Sequence, residues 1–327
     1  MGTKILVGNN MEKLKEIEYE SVDCIVSSPP YFGLRDYGVE GQFGLEETLE
    51  EYIEKTVLLF EELRRVLKPQ GTVWWNIGDS YASKSSAWGG RGKNSILNKT
   101  GLEDKQRRNT IVPDGLKAKD LMMIPARVAI ALSENGWYLR SEIIWHKPNP
   151  MPESVKDRPT SAHEKIYLFA KNKKYYYDAD AIRVPQKQDS IARAGRNYWD
   201  TNKVETGNYA IPNIESAKKL NQKVLDTVAE GKIPMANKRN VWTVTTKPFK
   251  GAHFAVFPPD LIEPCIKAGC PKGGTVLDPF GGSGTTGLVA NNLGRNAILI
   301  ELNEEYVKIA KKRLGEDLGL FSEVKDG

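Results

Sequence analysis

A glycine-rich turn between an apolar strand and a helix is the feature that most constrains the fold of this chain. A strand is predicted over Thr275–Asp278. After it, Gly282, Gly284 and Gly287 fit the pattern G-x-G-x-x-G, and the strand that follows ends at Glu301. This order is typical of a nucleotide site in an α/β sheet, where the acidic residue binds ribose hydroxyls. The segment therefore predicts a βαβ unit with a nucleotide at its turn.

Short apolar runs alternate with helical patterns along most of the chain. The predicted strands are Lys4–Gly8, Val22–Ser27, Thr72–Ile77, Trp137–Trp145, Lys165–Ala170, Thr275–Asp278 and Asn296–Glu301, and Lys173–Asp178 is predicted to extend a hairpin. The predicted helices are Thr48–Leu67, Leu121–Glu134, Gly284–Leu293 and Asn303–Leu314. Such alternation predicts an α/β fold with a mostly parallel, twisted sheet and helices on both faces.

Composition excludes several classes of protein. Of the 327 residues, 40% are hydrophobic and 27% charged, which is ordinary for a soluble globular chain. No apolar stretch is long enough for a membrane span, so no membrane partner is expected. The three cysteines and three histidines are too few and dispersed for a disulfide framework or a zinc cluster. We therefore expect no metal, a reducing compartment and a cytoplasmic location.

Two segments are basic although the net charge is only +5. Residues 81–120 contain nine Lys/Arg against four Asp/Glu, and residues 181–240 contain eleven against six. A polyanion docking at chosen places would explain this distribution. Charge alone favours the simpler interpretation of two solvated insertions.

Asp278 indicates which nucleotide the glycine turn binds. A Walker-type phosphate loop is excluded, because no Lys follows the glycines. A carboxylate repels a pyrophosphate but suits a ligand that carries an ammonium or a sulfonium group. S-adenosylmethionine has both groups, and a ribose for Glu301. The alternative is that Asp278 only caps the turn.

A stiff turn, Ser28-Pro29-Pro30-Tyr31, ends the predicted strand Val22–Ser27. Prolines cannot donate to a sheet and fix φ, so the Pro29 carbonyl is expected to point into free space. This carbonyl and the Ser28 hydroxyl can accept hydrogen bonds from one amino group, while Tyr31 can stack on a base. Such acceptors would hold an exocyclic amine for methylation without a covalent intermediate.

The two motifs, in this order, resemble the amino-group DNA methyltransferases in which the catalytic motif precedes the donor-binding motif. The segment Asp278–Thr286 resembles the donor motif, and serine at position 28 points to the N4-cytosine type. The resemblance implies a Rossmann-like methyltransferase fold with a smaller target-recognition insertion. It implies catalytic roles for Ser28, Pro29, Pro30 and Tyr31. The implied donor-binding residues are Asn9, Phe254, Phe257, Pro258, Asp278, Phe280, Gly282, Ser283, Gly284, Thr285, Thr286 and Glu301.

The resemblance also reassigns the basic segments. Residues 1–180 become the catalytic half with a DNA-facing insertion at 81–120, residues 181–240 the target-recognition region, and residues 241–327 the donor-binding half. Lys and Arg would neutralise phosphates, and Asn, Gln and Arg would read base edges. The partner is duplex DNA with a flipped cytosine. A homodimer and a cognate restriction endonuclease are further candidate partners, as in restriction-modification.

Three alternatives stay open at this point. The same fold could methylate adenine N6. The glycine pattern could belong to a nicotinamide-dependent oxidoreductase, although its place near the end of the chain and the adjacent Asp278 disfavour this. The chain could also bind DNA with an inactive site. The leading prediction, an N4-cytosine DNA methyltransferase, requires Tyr31 and Phe280 to share one cleft.

Overall fold

The computed structural model describes residues 2–34, 38–39, 41–82, 112, 115–195, 214–246, 257–318 and 324–326. The strands β1 to β11 are Thr3–Val7, Val22–Ser27, Leu67–Ile77, Tyr138–His146, His163–Ala170, Val184–Pro185, Met235–Ala236, Val241–Thr243, Thr275–Asp278, Asn296–Glu301 and Val324–Asp326. The helices α1 to α8 are Asn10–Lys13, Leu49–Val66, Ile124–Glu134, Gln188–Ala194, Ile214–Ala229, Pro259–Gly269, Thr285–Asn292 and Glu304–Leu318.

The main sheet confirms the predicted fold class. Its strand order is β11-β1-β10-β9-β2-β3-β5-β4-β8. All pairs from β11 to β3 are parallel, whereas β5 runs antiparallel to both β3 and β4. Strand β8 is parallel to β4. The strands β10, β9 and β2 therefore lie in this order in one parallel block.

Helices cover both faces of this sheet. Trp75 of β3 packs edge-on against Phe60 of α2, with ring centroids 4.9 Å apart. The preceding residue of the strand, Trp74, lies instead against Gly269 at the end of α6. Neighbouring strand residues point to opposite faces, so α2 and α6 cover opposite sides of the sheet.

Helix α2 follows directly from its sequence. Thr48 caps its start by accepting a hydrogen bond from the Glu51 backbone, and the Glu51 side chain bonds back to the Thr48 backbone. This capping box satisfies amides that the first helical turn leaves unpaired. The apolar residues that predicted the helix face the core, where Leu59, Phe60 and Leu63 are fully buried.

Two local predictions were wrong. The strand predicted over Thr72–Ile77 begins earlier than expected, since β3 starts at Leu67 and includes Pro69-Gln70-Gly71. Its pairing with β2 shifts register between Val22 and Cys24, and such an irregularity accommodates proline and glycine. Lys173–Asp178 was expected to extend a hairpin, and it forms no strand. Its tyrosines pack instead, with Tyr177 stacked on the Trp74 ring.

The chain divides into two compact units. One comprises Met1–Asp178 with Asn240–Gly327, and the other is Ala179–Arg239. The second unit contains the helices α4 and α5, which pack together, and the antiparallel pair β6–β7. The sequence showed little periodicity in this region, so the 16-residue α5 was missed. Among the helices that the structure describes, none combines the length and apolar character that a membrane span requires.

Candidate active site

The predicted catalytic turn, Ser28–Tyr31, and the glycine turn leave the sheet side by side. Strands β2 and β9 are parallel neighbours, with Ile25 paired to Leu277. Parallel neighbours end at the same edge, which is where ligands bind in open α/β sheets. At this edge the Ser27 hydroxyl donates to Asp278 Oδ1 at 2.5 Å. Positions 27 and 278 are thus in direct contact although 251 residues separate them.

Phe280 and Tyr31 pack against the same hydrophobic core cluster. The Phe280 ring contacts Phe43 and Trp75 edge-on, at centroid distances of 5.3 and 6.1 Å. Tyr31 lies one short turn beyond β2, whose Ile25 belongs to that cluster. The structure therefore brings both loops to one edge, as the sequence required.

Asp278 is buried and links the end of β2 to the glycine turn through hydrogen bonds. Its side chain is 1% exposed and accepts three hydrogen bonds, from the Ser27 hydroxyl, the Thr286 hydroxyl at 2.6 Å and the Phe280 backbone at 3.0 Å. Burial raises the pKa of Asp278 to about 6, against the opposing effect of these donors. Asp278 therefore does cap the turn, as one of its two interpretations predicted. Its action on a bound cation stays a prediction.

The predicted donor loop, Asp278–Thr286, needs glycine where the chain enters α7. Gly284 has φ +80° and occupies the N-cap position of that helix. A Cβ there would also lie 3.1 Å from Cβ of Ala310 in α8. A left-handed backbone with a close neighbour excludes larger residues at this position. Gly282, with φ +52°, adopts the same backbone region.

The polar residues of the donor loop are turned inward. Ser283, Thr285 and Thr286 are each at most 3% exposed. Arg313 of α8 donates to the Thr285 hydroxyl at 2.7 Å and to the Ser283 hydroxyl at 3.2 Å, while Thr286 bonds to Asp278. These side chains therefore fix the shape of the loop. Their predicted role in donor binding would be indirect, because they hold the backbone of the loop in place.

Glu301 ends β10 beside the glycine turn. Its carboxylate accepts hydrogen bonds from the backbone of Gly282 and of Asn303, both at 2.8 Å. Burial raises its pKa, and these backbone donors oppose the shift. The Glu301 carbonyl accepts from Gly8 at 2.9 Å, which places the end of β1 next to it. The side chain of the neighbouring Asn9 caps α1 by accepting from Met11 at 2.9 Å.

Phe257 and Pro258 lead into α6. Phe257 is half-buried, and Pro258 is buried at the N-cap of that helix. Their contact with a bound donor stays a prediction. Phe254 lies outside the described residues, as does most of the insertion at 81–120.

The turn Ser28–Tyr31 is held by a hydrogen bond within it and by hydrogen bonds to Glu164 and Tyr52. The Ser28 hydroxyl donates to the Tyr31 hydroxyl at 3.3 Å, and the Tyr31 hydroxyl donates to Glu164 at 2.7 Å. Tyr52 of α2 donates to the Pro30 carbonyl at 3.2 Å. Within the described part of the chain, no hydrogen bond reaches the Pro29 carbonyl. Two acceptors, Ser28 Oγ and the Pro29 carbonyl, are therefore available at one turn.

Sequence reasoning missed the residues that surround Tyr31. Glu164 of β5 also accepts from the Asn76 side chain at 3.2 Å and pairs with Lys147. Gly78 follows β3 and leaves room for the tyrosine ring. Because β5 is antiparallel to β3, its start lies at the edge where β3 ends. No sequence pattern linked Glu164, just before the predicted strand Lys165–Ala170, to Tyr31.

Replacing Gly78 with alanine is expected to lower the turnover rate about tenfold without weakening donor binding. An added Cβ would lie 2.6 Å from Cε2 of Tyr31, so the ring must move. Donor binding would persist because the glycine turn is untouched. Gly315→Ala is the matched control, since nothing lies within 4 Å of its Cβ position. Equal turnover for Gly78→Ala and wild type would show that the Tyr31 position is not required.

The described residues contain no group of His, Cys, Asp and Glu that could hold a metal ion. His146 bonds to the Thr243 hydroxyl at the exposed end of β4. All three cysteines are buried, and burial raises the pKa of Cys24 and Cys270. The thiols of Cys24 and Cys270 are therefore poor nucleophiles.

Comparisons with known proteins agree with this geometry. Residues 22–312 match the model of the N6 and N4 methyltransferase family, described as DNA methylase. Type II methyltransferase M.SmaI of Serratia marcescens is 43% identical over 316 residues, 95% of this chain and 90% of that protein. Type II methyltransferase M.Cfr9I of Citrobacter freundii is 44% identical over 321 residues, 98% and 90% of the two chains.

Solved structures share the fold. PvuII DNA methyltransferase, described as cytosine-N4-specific, superposes with a TM-score of 0.60 at 20% identity, covering 96% of this chain and 86% of that one. The Thermus thermophilus protein TTHA0409, complexed with S-adenosyl-L-methionine, gives a TM-score of 0.59 at 21% identity, covering 99% and 98%. At these identities the likeness concerns the fold alone.

Proposed function

We propose, from the premise that this chain belongs to the DNA methylase family, that it transfers the methyl group of S-adenosylmethionine to the N4 amine of a cytosine in DNA. The chain is a DNA methyltransferase, and S-adenosylmethionine is its methyl donor. The choice of cytosine N4 and the residue roles are the parts proposed. Membership in this family removes the nicotinamide oxidoreductase from consideration.

One observation carries the proposal: the hydrogen bond between Ser27 and Asp278. It joins the strand that presents Ser28 to the strand that presents the donor loop, at 2.5 Å. A base amine held at Ser28 and a donor held at the glycine turn would therefore lie next to each other. Most of the catalytic effect expected from such a site is correct orientation of the two reactants.

The donor-side residues fit a cationic nucleoside. Glu301, at the end of β10, would bind the ribose, and Asp278 would supply a buried negative charge that favours the sulfonium and ammonium groups. Phe280 would cover the adenine with its half-buried ring. Bound S-adenosylmethionine supplies a methyl group on a positively charged sulfur, which keeps the bonding electrons when the methyl leaves.

The catalytic turn would hold the amine. The nitrogen of an exocyclic amine is conjugated with its ring and is a weak nucleophile. The Ser28 hydroxyl and the Pro29 carbonyl would each accept one of its hydrogens and draw the nitrogen toward tetrahedral geometry. Its lone pair then forms the bond to the methyl carbon, and one amine proton leaves to water. Such a base must be flipped out of the duplex to reach this edge.

DNA recognition is assigned to the smaller unit and the insertion. The unit Ala179–Arg239 nearly coincides with the basic segment 181–240, where Lys and Arg would contact phosphates. Residues 81–120 would form a second DNA contact. The identity with Type II methyltransferases supports a role in restriction-modification, with a partner nuclease, in the cytoplasm. A homodimer is a further proposal.

Identification of the methylated nucleoside tests the proposal. Duplex DNA of random sequence is incubated with the protein and S-adenosylmethionine carrying a tritiated methyl group, then digested to nucleosides. We expect the label in N4-methylcytosine. Label in N6-methyladenine would establish the adenine alternative, and label in RNA alone or in neither nucleic acid would contradict the proposal.

A further inference from the structure

A chain of hydrogen bonds leads from the catalytic serine to a carboxylate on a neighbouring strand. The Ser28 hydroxyl donates to the Tyr31 oxygen at 3.3 Å, and the Tyr31 hydroxyl donates to Glu164 Oε2 at 2.7 Å. Both side chains of the Glu164–Lys147 pair are largely buried, with 17% and 19% exposed. The carboxylate end of this hydrogen-bond chain is therefore largely sheltered from water.

The Glu164 carboxylate sets which way the hydrogens point along this chain of hydrogen bonds. An ionised carboxylate can only accept, whereas each hydroxyl donates one hydrogen and can accept others. Tyr31 must point its hydrogen at an acceptor, and Glu164 lies closer than the other candidate, the Asn76 amide oxygen at 3.5 Å. Asn76 uses its amide nitrogen to donate to Glu164 and to the Lys165 carbonyl, both at 3.2 Å.

The chemical state of Tyr31 supports the same direction. Burial raises the pKa of its phenol well above the usual range, and the charge of Glu164 raises it further. The phenol therefore keeps its proton and remains a donor to Glu164. Its oxygen is left as an acceptor for the hydrogen of Ser28. Lys147 engages the other carboxylate oxygen of Glu164, Oε1, and leaves Oε2 to Tyr31 and Asn76.

We infer that Glu164 is a positioning residue which, through Tyr31, commits the Ser28 hydrogen away from the base, so that Ser28 Oγ presents only lone pairs to the target amine. Without that commitment the Ser28 hydroxyl could donate to the amine nitrogen and occupy the lone pair that must attack the methyl group. Ser28 would then inhibit the nucleophile it is meant to free.

This inference rests on the proposed function, since it concerns an amine held at Ser28. It makes a separate prediction about rate. Glu164→Gln nearly preserves shape, but its amide group can donate to the Tyr31 oxygen and reverse the chain. We expect the single-turnover rate of methyl transfer to fall by about tenfold to thirtyfold. The dissociation constants for S-adenosylmethionine and for target DNA should stay within about twofold, because in the described part of the chain the Glu164 side chain bonds to Tyr31, Asn76 and Lys147 and not to the glycine turn.

The structure offers a closely matched control. Glu142 of β4 accepts hydrogen bonds from Tyr167 and from Lys165, both at 3.0 Å, so it repeats the Tyr–Glu–Lys arrangement away from Ser28. Glu142→Gln should leave the single-turnover rate within about twofold of wild type. Equal losses in Glu142→Gln and Glu164→Gln would assign the effect to general disturbance of the sheet and overturn the inference.

Tyr31→Phe provides an independent test. It removes the hydroxyl that links Ser28 to Glu164 and should slow transfer by a similar factor. If the two residues act through one chain, adding Glu164→Gln to Tyr31→Phe should slow transfer no more than about twofold further. Multiplicative losses, or a wild-type rate in either single variant, would contradict the inference. Absence of any cytosine methylation by the wild-type protein would instead contradict the proposed function.

Discussion

Ser28→Ala is expected to lower the single-turnover rate of methyl transfer about 100-fold while leaving the affinity for S-adenosylmethionine unchanged. Removal of one positioned hydrogen-bonding group from a reacting centre typically costs about 10²–10³ in rate. Here the lost group is an acceptor for the amine. The donor loop would be unaffected, because its link to β2 is made by Ser27 and not by Ser28.

Stability should change little in this variant. Ser28 is half-buried, and its side chain makes a long hydrogen bond of 3.3 Å to Tyr31. Ser141→Ala, a half-buried serine of β4, serves as the control and should retain the wild-type rate. Rapid-quench transfer of tritiated methyl to duplex DNA measures the rates. A Ser28→Ala rate within about threefold of wild type would show that the amine is held elsewhere.

Asp278→Ala is expected to weaken S-adenosylmethionine binding about 100-fold and to destabilise the fold. The change leaves the Ser27 hydroxyl, the Thr286 hydroxyl and the Phe280 amide without the acceptor they share. A buried donor left unpaired costs about 1–3 kcal/mol, so the free energy of unfolding should fall by about 3 kcal/mol or more. Isothermal titration calorimetry and urea unfolding measure the two effects.

Asp278→Asn separates charge from shape. Its amide oxygen can still accept hydrogen bonds, so the fold should be less affected than in Asp278→Ala. The negative charge is lost, and donor affinity should fall about tenfold. Equal donor affinity in wild type and Asp278→Asn would show that the charge of Asp278 does not act on the donor.

The raised pKa of Asp278 gives this site a pH dependence. Burial raises that pKa to about 6 in the free protein, so the group is partly protonated at pH 6. A bound cation favours the carboxylate and lowers the pKa, and donor binding near pH 6 should therefore release a fraction of a proton. Donor affinity should fall as the pH drops below 6. The Asp278→Asn variant should release fewer protons on donor binding, because Glu301 is then the remaining carboxyl of this site with a raised pKa.

Apolar runs in the sequence predicted strands of the parallel half of the sheet, and the resemblance to the methyltransferases required the two motifs to meet. Apolar periodicity predicted the strands at 22–27, 275–278 and 296–301, and the neighbouring strand ends then brought residues 27 and 278 together. The rule that parallel strands end at one edge needs only the order of the elements. Long, well-patterned segments were thus predicted correctly.

The surroundings of Tyr31 were not predictable in the same way. Glu164 lies 133 residues away along the chain and reaches Tyr31 only because β5 inserts antiparallel to β3. Sequence periodicity does not reveal that pairing. The tyrosines at 175–177 misled for a related reason: aromatic residues favour strands in general, but Tyr177 is used for stacking on Trp74.

A crystal structure with duplex DNA and a non-reactive analogue of S-adenosylmethionine tests the central claim most directly. We expect a flipped cytosine with its N4 atom within hydrogen-bond distance of Ser28 Oγ and the Pro29 carbonyl. The analogue should lie over the glycine turn, with its transferable group facing that nitrogen. An analogue at the glycine turn with the flipped base bound away from Ser28 would contradict the account.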